Sequence, residues 1–113
     1  MMLKKYLKNG MRNMEYKIII ASKARSEIES IFDYINEELK NNNAAVRLKN
    51  KFKENIRGLK KMPKRYPEIE KRDKLKRFYR RIVVDNYVIL FTIDDEKKSV
   101  YVAHVYYGRK NYM

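Results

Sequence analysis

The chain has 113 residues, enough for one domain with a modest core, and no cysteine, which excludes disulfides, thiolate metal sites and cysteine nucleophiles. Its 28 Lys plus Arg against 14 Asp plus Glu leave a formal charge of +14, a surplus that favours polyanionic partners such as nucleic acid, the ribosome, an acidic protein or anionic lipid. The 44% hydrophobic content argues against wholesale disorder, and no stretch approaches the ~20 apolar residues of a membrane span.

The opening "MMLKKYLKNGMRNMEYK" is basic but lacks the apolar core of a secretory signal. Patterned sequence begins near Glu15. Residues 1–13 are therefore expected to be a loose basic leader, and residues 14–113 a single domain. The absence of cysteine fits a reducing cytoplasm.

"EYKIIIAS" is a short β-branched run, read as a strand from Tyr16 to Ala21 with Ser22 as the N-cap of a helix. Ala24, Ile28, Ile31, Phe32, Ile35 and Leu39 then recur at helical spacing, and the opposite face holds Glu27, Glu29, Asp33, Glu37 and Glu38, read as a solvated acidic surface. Asn43 is the expected cap of a second helix, whose apolar side is Ala45, Leu48, Phe52, Ile56, Leu59 and Met62. The short Asn linker makes the two helices an antiparallel hairpin. Residues 63–77, with two prolines and no period, read as a loop or a loop with one helical turn. "FYRRIVV", "YVILFTI" and "SVYVAHVYY" follow as strands, the first two joined by the two-residue Asp85-Asn86 turn. The order β-α-α-β-β-β predicts an α+β fold, a small mainly antiparallel sheet with the helical hairpin packed on one face.

Charge is polarised. Lys60, Lys61, Lys64, Arg65, Lys71, Arg72, Lys74, Lys76, Arg77, Arg80 and Arg81 crowd one segment, opposed only by Glu68, Glu70 and Asp73. In "FYRRIVV" the alternation sends Ile82 and Arg80 one way and Tyr79 and Arg81 the other. Helices over Ile82 would leave Tyr79 and Arg81 on an open face. After the last strand, Gly108 leads into Arg109, Lys110 and Tyr112. Cations flanked by tyrosines suit RNA, since guanidinium pairs with phosphate and phenol rings stack on unpaired bases. Tyr101, Tyr106 and Tyr107 read more simply as strand residues with wet tips, and His104 as a satisfied structural histidine. There is no glycine-rich phosphate loop and no metal-binding motif, so no metal or cofactor is expected.

The pattern "ASKARSEIESIFDYI", then "LKKMPKRYPE", then "RRIVVDNYVILFTIDDEKKSVYVAHVYYGRKNY", resembles the RelE/ParE superfamily of bacterial type II toxin–antitoxin toxins, over about Glu15 to Tyr112. The resemblance implies a cytoplasmic growth-inhibiting toxin, of the kind associated with plasmid stabilisation. It would be silenced by a cognate acidic, partly disordered antitoxin, and the complex would touch operator DNA only through that antitoxin. RelE-like members cleave mRNA in the ribosome and carry an arginine that aligns with Val88, which a valine cannot replace. Arg81 matches a basic catalytic position of that set, Tyr79 stands at a neighbouring basic position, and Tyr112 matches the C-terminal tyrosine. A nuclease would thus work through Arg81, Arg109 and Tyr112, without metal. ParE-like members act on DNA gyrase without chemistry, and "YGRKNY" resembles their ending. On either branch the residues expected to meet target or antitoxin are Arg65, Arg77, Tyr79, Arg80, Arg81, Arg109, Lys110 and Tyr112. The alternative is a non-toxic basic RNA-binding module with the same fold.

Overall fold

A computed structural model of the chain describes residues 15–108. The expected leader and Arg109, Lys110 and Tyr112 lie outside that range. Strand β1 (Lys17–Ile20) leads into helix α1 (Ser22–Asp33), which widens into a π-helical turn over Tyr34–Glu38. Helix α2 (Asn42–Gly58) follows, then a 3-10 turn (Pro63–Arg65) and strands β2 (Glu68–Arg72), β3 (Phe78–Val84), β4 (Tyr87–Asp94) and β5 (Ser99–Tyr107). The five strands form one sheet in the order β1-β5-β4-β3-β2, antiparallel except for the β1–β5 pair.

Burial follows the sequence pattern. Ile82 and Val84 of β3, Ile89 and Phe91 of β4, and Val100, Val102 and Val105 of β5 meet Ala24, Ile35, Leu48, Phe52 and Ile56 of the helical hairpin in one core. The side chain of Phe52 links the layers, lying against Phe32 on one side and edge-on to Tyr87 on the other.

Several expectations need correction. Residues 68–72 form a strand, not a loop: β2 pairs with the first half of β3 at the sheet edge, with an irregularity between Glu68 and Arg72. Its only large apolar residue is Ile69, so it carries no alternation to read. The Arg72 guanidinium lies 4.1 Å above the Phe78 ring opposite it, which helps hold the pair. The cap of α2 is Asn41, whose side chain accepts the Ala44 amide at 3.1 Å, rather than Asn43. Ser22 is the first helical residue of α1, and no side chain caps that end. Met62 lies beyond the end of α2 and is exposed.

Two carboxylates fasten the periphery. Asp73 accepts the amides of Leu75 and Arg77 and the Arg77 Nε, closing the turn between β2 and β3. Burial pushes its pKa up, but the Arg77 amide and guanidinium outweigh that and hold it below the usual carboxylate range. Asp95, in the β4–β5 turn, accepts the Tyr16 hydroxyl at 2.8 Å and pairs with Lys64 Nζ at 2.9 Å. The Lys64 ammonium and then the Tyr16 hydroxyl lower the Asp95 pKa. One side chain thereby joins the residue before β1, the 3-10 turn and the last hairpin.

Candidate target- and partner-binding surfaces

The sheet has a helix-covered face and an open face. On the open face the register sets Arg81, Leu90 and His104 in one transverse row and Val83, Val88 and Tyr106 in the next. Val88, Leu90 and Tyr106 form a small apolar cluster of their own, flanked by Ile69 and Tyr79. His104 reaches this face because β5 carries an extra residue: Leu90 pairs with His104 and Phe91 with Val102, leaving Ala103 unpaired. Without that bulge, strict alternation after Val100 and Val102 would have sent residue 104 into the core.

The adjacent arginines of β3 have separate fates. Arg80 turns toward the helix side, where its guanidinium donates to the carbonyls of Lys64 (3.1 Å) and Tyr66 (2.6 Å) and meets Glu68 at 3.3 Å. Its side chain is only 15% exposed, so it serves as a clip between the 3-10 turn, β2 and β3. Arg77 is also internally engaged, with Asp73 at 2.8 Å, Asp94 at 3.6 Å and the Tyr101 ring 4.7 Å from its guanidinium carbon. Arg65 is exposed, over the Tyr66 ring and bonded to its hydroxyl. Arg81 is exposed and makes no hydrogen bond or ion pair among the described residues. Of the described arginines expected at the site, Arg81 is thus the one on the open face without an internal partner. Tyr79 stands beside it, half-buried.

Gly108 shows how β5 ends. Its N–H donates to the Asn86 carbonyl at 2.6 Å, and a Cβ there would sit 2.9 Å from that oxygen. The chain can pass this close to the β3–β4 turn only without a side chain. That turn itself holds Asp85 in the left-handed region at φ 54°.

Sequence reasoning missed two grooves beside the helices. β1 pairs only with residues 99–102 of β5, so the later half of β5 has no strand on that side. There Glu27 of α1 accepts the Val105 amide at 2.9 Å, and its Oε1 lies 3.7 Å from His104 Nδ1. Glu27 is therefore a structural ligand of the sheet, not part of a wholly solvated acidic surface. Beside this edge a cleft of about 730 Å³ is lined by Ser30, Ile31, Tyr34, Leu39, Tyr87 and Tyr107, among others. The second groove, about 530 Å³, runs between the helices and β1. Its lining includes Ile18, Ile20, Ile28, Phe32, Phe52 and Ile56, together with Arg25, Lys49, Lys53, Arg57 and Lys60 and the single acid Glu29. The cations on this groove come from α1 (Arg25), α2 (Lys49, Lys53 and Arg57) and the turn after it (Lys60), stretches that look, in sequence, like ordinary polar surface.

No curated protein sequence matches the chain. Among solved structures it is similar to a chromosomal ParDE toxin–antitoxin system from P. aeruginosa, at 11% identity and a TM-score of 0.66, covering 83% of this chain and 97% of that one. It is similar also to an archaeal RelE in the RelE–RelB complex from Pyrococcus horikoshii OT3 (12% identity, TM-score 0.59, covering 86% and 99%). A third likeness is to the RelBE2 toxin–antitoxin complex from Mycobacterium tuberculosis (18% identity, TM-score 0.53, covering 82% and 91%). These likenesses agree on the fold. The sequence profile of the ParE toxin of the type II toxin–antitoxin system parDE matches residues 18–112, nearly the whole domain, and the chain belongs to this family of toxins.

Proposed function

We propose that this toxin arrests growth by binding DNA gyrase, not by cutting ribosome-bound mRNA, and that a cognate acidic antitoxin silences it. The observation that carries the first part is the environment of Val88. This position aligns with an arginine of the RelE-like nucleases, and here it holds an aliphatic side chain, 8% exposed, packed on Leu90 and Tyr106. Such a site can stabilise no developing negative charge, which is the main work of a metal-independent phosphodiester cleavage. Tyr79 in place of a second basic residue weakens that chemistry further. Arg81 instead stands on the open face beside apolar and aromatic groups, which suits contact with a protein.

The second part is supported by the groove between the helices and β1. A groove with an apolar lining and a cationic surround fits an amphipathic acidic helix, and the +14 charge speeds encounter with such a partner. A segment that folds as it binds covers a large surface with a short chain. The three structures named above are of toxin–antitoxin systems, which agrees with this reading. Contact with operator DNA then runs through the antitoxin.

The test is pulse labelling after brief induction, with thymidine and methionine followed in parallel and a supercoiling assay on purified protein. Thymidine incorporation should fall first, with a DNA-damage response and inhibited supercoiling. Methionine incorporation falling within minutes, with mapped mRNA cuts, would establish the nuclease reading instead. Neither falling while the protein accumulates would favour the non-toxic RNA-binding module.

A further inference from the structure

We propose that a small pocket on the open face, where α1 meets β5, binds a phosphate group. The pocket is about 110 Å³ and draws its walls from α1 and four strands: Lys23, Lys71, Tyr79 and His104 supply its donors, and Leu90 and Tyr106 its apolar wall. These donors are widely separated in sequence, and the bulge at Ala103 is what turns His104 to this side.

The chemistry of the lining selects an anion. Neither Lys23 nor Lys71 makes a hydrogen bond or ion pair among the described residues. Two unpaired ammonium groups on one small pocket repel each other, and fold stability gives no reason to place them together. The phenol of Tyr79 and the imidazole of His104 add hydrogen-bond donors. The one acid on the wall, Glu27, has its Oε1 engaged by the Val105 amide at 2.9 Å, with His104 Nδ1 at 3.7 Å. That bond directs Glu27 Oε1 at the sheet edge, and the two lysines outnumber the one carboxylate on the pocket wall. A tetrahedral dianion satisfies two ammonium groups and flanking donors at once, as a single carboxylate does less well. The pocket has room for a phosphate group, and Arg81, in the same transverse row as His104, lies on the open face beside it.

The ligand class is a phosphate group, whether free, on a nucleotide or in a single-stranded backbone. The inference does not depend on which target the toxin has. It is tested by titrating the full chain, by calorimetry and by amide chemical shifts, with inorganic phosphate, adenosine monophosphate and a short single-stranded oligonucleotide lacking terminal phosphates, each at one fixed ionic strength. Saturable binding is expected, with shifts centred on His104 and Tyr79. Lys23→Ala and Lys71→Ala should each weaken it by roughly ten-fold. Lys97→Ala, a loss of the same charge on the β4–β5 turn, should leave it unchanged. Both pocket lysines are exposed, so their variants should keep the wild-type circular dichroism, and Tyr79→Phe gives an independent, smaller loss. Equal affinity for phosphate and the monophosphate would mark a site for the free group. A tighter monophosphate would mark a nucleotide site, and a tighter oligonucleotide a backbone site. The proposal is overturned if none of the three probes saturates, if the Lys23 and Lys71 variants bind as wild type, or if Lys97→Ala weakens binding as much as they do.

Discussion

The two faces of the sheet come from alternate residues of the same strands, and they are held to different standards. On the helix-covered face Ile89, Phe91, Val100 and Val102 are fully buried and locked between layers. On the open face Val88, Leu90 and Tyr106 are nearly as inaccessible, yet they are covered only by one another and by their neighbours Ile69 and Tyr79. Val83, one strand over in the same row as Val88, is 64% exposed. The first face stores the stability of the domain. The second keeps apolar and cationic groups at the surface, which a domain selected for stability alone would not require.

The sharpest way to break this comparison is a pair of truncations in β4. Phe91→Ala should cost about 4 kcal/mol, enough to threaten folding of a domain this size, whereas Val88→Ala should cost about 2 kcal/mol. Urea melts of both variants test the difference, and equal losses would mean that the open cluster is a core in its own right. A finer contrast lies in adjacent residues. Arg80→Ala removes the clip to the Lys64 and Tyr66 carbonyls and should cost about 2–3 kcal/mol, while Arg81→Ala should stay within about 0.5 kcal/mol. If Arg81→Ala also lowers toxicity at unchanged stability, the open face is the one that meets the target.

The smallest effect is in acid. Asp73 and Asp95 both have lowered pKa values in the folded chain, so their contribution is fully present above the unfolded carboxylate range of about 4. It drains away as pH falls through their folded values. Denaturant melts stepped from pH 6 to pH 2 should show that decline, and Asp73→Asn with Asp95→Asn should flatten it. Added salt should weaken the share of Asp95, whose side chain is 56% exposed, more than that of Asp73, at 13%.

The helices and four of the five strands were legible because each carries its own apolar period. β2 was not, since an exposed edge strand needs no alternation and "EIEKR" has one apolar residue. The choice among Asn41, Asn42 and Asn43 as cap was equally hidden: three identical side chains differ only in where the π-helical turn delivers them. At the site, alternation separated Arg80 from Arg81 in advance. It could not reveal that Arg80 finds two carbonyls, because those lie 14 and 16 residues away, across a turn with no pattern. Nor could it place His104, whose side depends on a bulge that leaves no mark in composition. The roles expected of Arg109, Lys110 and Tyr112 lie beyond the described residues.

The bond from Glu27 to the Val105 amide has one more consequence. A run of Val and Tyr with a free strand edge is the kind of segment that recruits further copies of itself into a growing sheet. Here a carboxylate already occupies a donor on that edge, and any incoming strand must first displace it. One acidic side chain, on a helix that otherwise looks merely soluble, thus acts as a stopper against fibril-like association in a highly tyrosine-rich protein.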